Sequence, residues 1–118
     1  MIAAELIPRV AERFRALGDP ARLAILAALQ DGERAVGDLV QATGRSQPNV
    51  SQHLASLAKV GFVVARREGN KIFYRCADPC LQRICDAVCE SLVARAEADE
   101  KWLKVLRSRR RKSAATRA

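Results

Sequence analysis

The stretch that decides the fold is VGDLVQATGRSQPNVSQHLASLAKVG, residues 36–61. It contains two short helical patterns separated by Gly44, and the second has a capping residue, Ser46, at its start and Gly61 at its end. Apolar residues recur every three or four positions in both patterns: Val36, Leu39 and Val40 in the first, and Val50, Leu54 and Leu57 in the second. Two short helices joined by a glycine-containing turn are typical of a helix-turn-helix.

Two further helices are predicted on the N-terminal side of this stretch. The first ends at Gly18 and carries its apolar residues on one face: Ile2, Leu6, Val10, Phe14 and Leu17. The second is capped by Asp19, begins at Pro20 and stops at Asp31-Gly32. Its apolar positions are Leu23, Leu26 and Leu29.

On the C-terminal side the periodicity changes. Residues 62–67 and 71–76 are rich in β-branched and aromatic side chains and are separated by Glu68-Gly69-Asn70, which predicts a β-hairpin. Asp78-Pro79 then opens a long last helix, which we expect to end before the charge run of residues 107–112. Its apolar positions are Leu81, Ile84, Val88, Leu92, Trp102, Leu103 and Leu106. The predicted fold class is therefore mainly α with a small β-hairpin.

Length and charge limit the organisation of the chain. A chain of 118 residues is long enough for one ordinary domain, which we place at residues 1–106, followed by a basic, disordered tail at 107–118. The net charge of +8 is concentrated in residues 45–75, where six Lys and Arg face Glu68 alone, and in that tail. No apolar run is long enough to span a membrane and the N-terminus has no export signal, so we expect a soluble protein of the reducing cytoplasm.

The second helix of the helix-turn-helix predicts a DNA-binding surface. Its buried stripe leaves short hydrogen-bonding side chains projecting from its first turns, the end that such a motif inserts into the major groove. The candidates are Ser46, Gln47, Asn49, Ser51 and Gln52, with His53 either on this surface or in helix packing. In the hairpin, cations cluster around a glycine-containing tip where they can contact phosphates: Arg66, Arg67, Lys71 and Arg75.

These motifs, in this order, resemble the arsenic-repressor (ArsR/SmtB) family of bacterial transcriptional regulators. The resemblance covers about residues 10–95 and rests on residues 14–26, 46–54, 61–63 and 66–69. It implies a winged helix-turn-helix homodimer, joined through its first and last helices, that binds a double-stranded DNA operator and leaves it when an effector binds. The apolar faces of those two helices independently favour an interface.

Four cysteines lie within fourteen residues: Cys76, Cys80, Cys85 and Cys89. In a cytosolic chain such a cluster is more often metal-binding or redox-active than disulfide-bonded. Cys85 and Cys89 lie one helical turn apart and can share an ion, whereas Cys80 lies on the opposite edge of the apolar stripe. We predict metal ligation by Cys80, Cys85 and Cys89, with Cys76 as a further candidate; Cys80 and Cys76 would join the pair only through chain bending or from the partner subunit. The alternative is that these cysteines are small apolar residues packed in a dimer interface.

The chain departs from the effector sites of the family it resembles. Ala35 and Gly37 stand where some members have the two thiols of a metal box in the third helix. The zinc pattern of the last helix is at best half present, with Asp78 and Cys80 matched but Ser91 and Ala94 at the remaining positions. The second helix has no cysteine for the pair used by persulfide sensors.

The leading hypothesis is a repressor released by a thiophilic ion such as As(III), Sb(III), Cd(II), Pb(II) or Cu(I), which thiolate ligands select. The alternative is a thiol-based redox or persulfide switch that uses the same cysteines. A third hypothesis is an architectural DNA-binding protein without sequence preference. With His53 as its only histidine and no nucleotide or metalloprotease motif, the chain is not expected to be an enzyme or to use a catalytic cofactor.

Overall fold

The structure is a computed structural model that describes residues 1–117, with side chains to Arg111. After a 3₁₀ turn at Ala4–Leu6, its elements are α1 Ile7–Leu17, α2 Pro20–Ala28, β1 Arg34–Ala35, α3 Val36–Thr43, α4 Gln47–Lys59, β2 Val63–Glu68, β3 Lys71–Cys76 and α5 Leu81–Arg117. The chain forms two compact units, Met1–Pro79 and a second that begins at Cys80. The first contains the helix-turn-helix and the sheet, and the second consists of α5.

The core of the first unit lies where α2, α3 and α4 meet. Its fully buried side chains are Ile25, Leu39, Val50, Leu54, Leu57 and Phe62. All three apolar positions predicted for α4 are in this set, so the predicted inner face of that helix is confirmed. In α2 the prediction was wrong for Leu23, which is exposed, because Ala21, Ile25 and Leu26 form the buried side instead.

Glycine and serine shape the turn between α3 and α4. Gly44 has a left-handed backbone (φ 68°), and its N–H donates to the Val40 carbonyl at 3.0 Å. Ser46 then caps α4, its Oγ accepting from the backbone N–H of Asn49 at 3.3 Å. The predicted helix-turn-helix is confirmed, with three residues between its helices.

The sheet has three antiparallel strands in the order β1-β3-β2. The predicted hairpin is confirmed with a tighter turn than expected, since Glu68 pairs with Lys71 and only Gly69 (φ 62°) and Asn70 lie between the strands. Strand β1 was not predicted because two residues carry no periodicity. It pairs with β3 through Arg34 opposite Tyr74 and Ala35 opposite Phe73.

Helix α5 differs from expectation at both ends. It begins at Leu81 rather than at Pro79: the Cys80 carbonyl accepts from the Ile84 N–H at 3.0 Å, and the Asp78 carboxylate accepts from Arg13 Nη1 at 3.1 Å. The expected end before residue 107 is wrong, since the helix continues to Arg117. Residues 107–117 contain no Gly or Pro and are rich in Arg, Lys and Ala, which favour helix.

The proposed division at 106/107 remains a prediction, and Ala118 and the side chains of residues 112–117 lie outside the described part of the chain. Within the part that is described, no helix combines the length and apolarity needed to cross a membrane.

The predicted apolar face of the first helix is buried only at its end, where Leu17 lies in the core and Val10 is half-buried. Ile2, Leu6 and Phe14 are exposed, and α1 buries only Ala16 and Leu17. Ile2 and Leu6 also precede the α-helix, which starts at Ile7 after the 3₁₀ turn. This face is therefore available for contact with another molecule.

Candidate nucleic-acid interface and cysteine cluster

The exposed side of α4 carries the predicted polar residues. Val50, Leu54 and Leu57 hold the opposite side of the helix in the core, so Gln47, Ser51 and Gln52 lie in solvent. Ser46 is also exposed, but its hydroxyl oxygen already serves as the helix cap. The backbone N–H groups and the positive dipole end of α4 favour an anion such as phosphate at the same place.

His53 lies at the edge of this surface and not on it. It is half-buried, and its Nδ1 accepts a hydrogen bond from Arg22 Nε at 3.2 Å. Arg22 also donates from Nη1 to the Arg15 carbonyl at 3.4 Å, so one guanidinium joins α4 to the end of α1. Of the two roles the sequence left open, the geometry favours packing between helices. The place of His53 on the DNA-binding surface stays a prediction, while the contact from Arg22 on α2 accounts for its partial burial.

Asn49 is also less accessible than predicted. The residue is half-buried, and its Oδ1 is fully buried without a hydrogen-bond partner among the described residues. Its backbone N–H is bound to the Ser46 cap. Asn49 therefore contributes less surface to the candidate interface than Gln47, Ser51 and Gln52.

Asp19 fixes the start of the helix that carries Arg22. Its Oδ1 accepts from the backbone N–H groups of Ala21 at 2.8 Å and of Arg22 at 3.3 Å. Desolvation raises the pKa of this carboxyl, but these backbone hydrogen bonds and the nearby charge of Arg22 outweigh it, and the net pKa is lowered. The predicted cap at Asp19 is thus confirmed.

Arg66 of the hairpin is held by two carboxylates, Glu68 in the same strand and Glu33 just before β1. Its Nη2 lies 2.6 Å from Glu33 Oε1, its Nε contacts both Glu33 oxygens, and its Nη1 donates to Glu68 Oε2 at 2.8 Å. The guanidinium also lies over the ring of Phe73, 5.0 Å from its centroid. The hydrogen bond from Arg66 lowers the pKa of Glu33, and the bonds to Glu33 and Glu68 raise the pKa of Arg66. Arg66 was predicted as an available DNA contact, but here its charge is already paired.

The other hairpin cations are exposed and lie on different faces of the sheet. Directly opposite residues share a face, so Lys71 and Arg75 lie with Arg66, whereas Arg67 lies on the reverse face. Arg67 Nε donates to the Gly69 carbonyl at 3.3 Å, which directs this side chain along the turn. Three exposed cations therefore remain in the hairpin: Arg67, Lys71 and Arg75.

The cysteines are reduced thiols divided between the two units. Cys76 is half-buried at the end of β3, opposite Val63. In the second unit, exposed Cys80 accepts a hydrogen bond from Arg83 Nη2 at 3.0 Å on its Sγ. Half-buried Cys85 and exposed Cys89 follow on α5, one helical turn apart.

A metal ion with three or more protein ligands does not fit one chain. Among the residues whose side chains are described, no group of three or more His, Cys, Asp or Glu could hold an ion. The structure therefore does not bring the predicted ligands Cys80, Cys85 and Cys89 together within one chain. Cys80 precedes the first residue of α5, whereas Cys85 and Cys89 both lie on this helix, one turn apart.

Comparison with known proteins identifies the fold and family. The family model described as bacterial regulatory protein, arsR family, matches residues 19–64, from the cap of α2 into β2. The crystal structure of NolR from Sinorhizobium fredii is 32% identical with a TM-score of 0.69, covering 76% of this chain and 93% of that one. The chain belongs to the ArsR family. Its fold is the winged helix-turn-helix, in which α4 is the second helix of the motif and the β2–β3 hairpin is the wing.

Two further relatives extend the ArsR comparison. A homodimeric winged helix-turn-helix DNA-binding domain from Mycobacterium bovis, described as a possible ArsR-family regulator, is 37% identical with a TM-score of 0.70, covering 80% of this chain and 87% of that one. A probable mercury resistance operon repressor from Streptomyces lividans is 47% identical over 75 residues, which are 64% of this chain and 58% of that protein. The chain thus spans less than two thirds of the length of curated relatives such as this one.

Sequence reasoning missed three residues of the ArsR DNA-binding unit. Arg45 is an exposed cation immediately before the cap of α4, and the local charge could have indicated it. Arg22 lies in the stretch DPARL, residues 19–23, but its partner His53 is 31 positions away in the sequence. Glu33 contacts Arg66, which lies 33 positions later in the sequence, and no sequence pattern predicts that pair.

Proposed function

We propose that this ArsR-family chain is a transcriptional repressor that binds a double-stranded operator as a homodimer and leaves it when a thiophilic ion binds. The observation that supports DNA binding best is the exposed polar face of α4, with Ser51 and Gln52 directed away from a fully buried stripe on the same helix. Such side chains hydrogen-bond base edges in the major groove. A reducing cytoplasm, where the thiols stay available, is the compartment we propose for it.

Cations around this face supply the sequence-independent part of binding. Arg45 precedes α4, and Arg67, Lys71 and Arg75 lie in the wing, all exposed. Each phosphate neutralised by such a cation releases counterions, so affinity falls steeply as salt rises. Sequence readout then falls to Gln47, Ser51 and Gln52, which carry no charge.

The apolar surface of α5 supports a homodimer. Its exposed apolar side chains include Val88, Leu92, Trp102, Leu103 and Leu106. These residues lie on one face of a helix of 37 residues, in one group at Val88 and Leu92 and a second at residues 102–106, and exposed apolar side chains that share a face are typical of a protein interface. The homodimeric relative from Mycobacterium bovis has the same fold. Two copies would present two recognition helices to successive major grooves, about 34 Å apart, on a palindromic operator.

The thiol pair on α5 supports an ion as effector. Cys85 and Cys89 lie one turn apart on the same edge of α5, and the Streptomyces relative is named for mercury resistance. An ion lowers operator affinity if it binds better to the conformation of the dimer that binds DNA poorly. Bound DNA then lowers the affinity for the ion by the same coupling free energy. A test of the proposed effector must therefore measure whether the ion lowers DNA binding.

Helix geometry weighs against a simple disulfide switch. Residues i and i+4 of a helix have Cβ atoms about 5–6 Å apart, whereas a disulfide requires roughly 3.5–4.5 Å. An ion between two sulfurs fits the larger spacing, but an S–S bond between Cys85 and Cys89 would distort α5. A redox or persulfide sensor would thus need a link between copies or a polysulfide bridge.

The test is fluorescence anisotropy of the reduced protein on DNA from its own upstream region and on an unrelated duplex. We expect tighter binding to the upstream DNA, and release by arsenite, cadmium or mercuric ion in wild type but not in Cys85→Ser/Cys89→Ser. Equal affinity for both duplexes with a steep salt slope would support the architectural alternative instead. Release by oxidant or persulfide, reversed by reductant and not by chelator, would support the redox alternative.

A further inference from the structure

We propose that Cys85 and Cys89 form a two-coordinate site that prefers soft cations binding two thiolates in a linear arrangement, the chemistry of Hg(II), Ag(I) and Cu(I). This inference rests on the proposed ion-responsive function and specifies its ligand class. As(III) and Sb(III) form pyramidal complexes and bind most tightly to three thiolates, so they should bind less tightly to the two thiolates of one chain. The decisive feature is the number of thiols that one face of α5 presents.

The pair itself has the spacing for one ion. Cys85 and Cys89 are separated by one helical turn, so both side chains lie over the same edge of α5 with their Cβ atoms about 5–6 Å apart. Cys85 is half-buried and Cys89 is exposed, which gives the site one sheltered ligand and one ligand open to entering ions. Binding of a divalent ion replaces two S–H bonds with two S–metal bonds and releases two protons to solvent.

A third thiol does not join the pair among the described residues. Cys80 lies before Leu81, the first residue of α5, and so is not held in the helical spacing that places Cys85 beside Cys89. Its Sγ instead accepts a hydrogen bond from Arg83 Nη2 at 3.0 Å. The sequence of α5 contains two cysteines, so a site of three thiolates would require either movement of Cys80 toward the pair or a thiol from a second chain.

The neighbouring carboxylates do not complete a third coordination position. Asp86 and Glu90 each follow a cysteine of the pair, but Asp86 Oδ1 accepts from Gln82 Nε2 at 2.8 Å, and carboxylate oxygens are hard donors that soft ions disfavour. Among the side chains that the structure describes, no three such groups converge on one point. The ligand count therefore stays at two.

The experiment is an ion titration of the reduced, full-length chain without DNA. Mercuric chloride and sodium arsenite are added separately, bound ion is followed by the ultraviolet sulfur-to-metal band, and remaining thiols are counted with a chromogenic disulfide. We expect mercuric ion to protect two of the four thiols at one ion per chain, and to outcompete arsenite. Loss of a residue that only contacts a metal ligand weakens metal binding roughly 10- to 100-fold. Cys85→Ser and Cys89→Ser each remove a ligand itself, so each should weaken mercuric binding by more than this.

Cys80→Ser and Cys76→Ser are the matched controls, and both should bind mercuric ion like wild type. Circular dichroism of every variant verifies that α5 is intact. Arsenite protecting three thiols and depending on Cys80 would overturn the two-coordinate site while leaving an ion-responsive repressor in place. Two-thiol mercuric binding without any change in operator affinity would overturn the effector part of the proposed function while leaving the site.

Discussion

Arg66 Nη2 lies 2.6 Å from Glu33 Oε1, and this contact ties the wing to the residue that directly precedes strand β1. Glu33 accepts from two guanidinium nitrogens, and Glu68 accepts from the third. Phe73 lies beneath the same group. Arg66 therefore acts as a structural residue of the wing, and two acidic partners offset its charge before any phosphate approaches.

The first prediction separates Arg66 from the other wing cations. Arg67→Ala should reduce the slope of log affinity against log salt by about 0.9, the effect of losing one phosphate contact. Arg66→Ala should change this slope much less, because its charge is already balanced by Glu33 and Glu68. Anisotropy titrations at several salt concentrations measure both slopes. Equal losses for the two variants would show that Arg66 leaves its carboxylates to bind DNA.

Glu33→Gln provides the reciprocal prediction. The amide keeps the shape of the side chain but removes the charge that pairs with Arg66, so one more wing cation becomes available to phosphate. We expect this variant to bind unrelated DNA more tightly at low salt, with a salt slope larger by up to about 0.9. The exposed Glu12→Gln on α1 is the matched control for loss of one negative charge. The same gain in both variants would reflect net charge alone.

The pH dependence of stability follows from the Glu33 carboxyl. Its pKa is lowered below the ordinary value of 4.5 by the hydrogen bond from Arg66, so the stabilising contribution is complete above that value. It is lost as the pH falls through the lowered pKa of the folded state. Urea unfolding between about pH 6 and pH 3 should therefore show a steeper acid loss for wild type than for Glu33→Gln. Asp19 titrates in both proteins, so the difference between them isolates Glu33; parallel curves would contradict the prediction.

The sequence predicted helices and turns well because their signals are local. Gly44, the Ser46 cap and the stripe of Val50, Leu54 and Leu57 each act within one or two turns of the chain, and each was confirmed. The environment of Arg66 was not predictable in this way. It depends on the register of three strands and on a loop 33 positions away, which only the folded sheet brings together.

The cysteine cluster was also only partly predictable from local sequence patterns, although its members are close in sequence. Helical spacing already indicated that Cys85 and Cys89 pair and that Cys80 lies apart. The fold adds that α5 begins at Leu81, that Arg83 bonds to Cys80, and that Cys76 belongs to a strand of the other unit. The sequence predicted three cysteine ligands because they are close in sequence, but no three such ligands come together among the described residues.

Readout of bases by α4 is tested by Gln52→Ala. The side chain is exposed on the face opposite the core, and removing its amide should cost about 1–3 kcal/mol of discrimination between the preferred operator and one changed base pair. Affinity for unrelated DNA should stay nearly unchanged, because the amide carries no charge. Ser56→Ala, on the same helix but bonded to the Gln52 carbonyl at 3.3 Å, is the control. A uniform loss on every duplex would point to a phosphate contact instead.

The proposed homodimer interface is tested by two neighbouring residues of α5. Leu92 and Val93 are both exposed, at 64% and 57%, but lie about 100° apart around the helix. Leu92 continues the stripe of Val88 and Leu106, whereas Val93 lies beyond its edge. A charge buried in an apolar interface is strongly unfavourable, so Leu92→Asp should convert the homodimer to a monomer at micromolar concentration, and Val93→Asp should leave it intact. Sedimentation velocity distinguishes the two states. Dissociation by Val93→Asp alone would move the interface to the other face of α5, and a dimer in both variants would place it outside this segment.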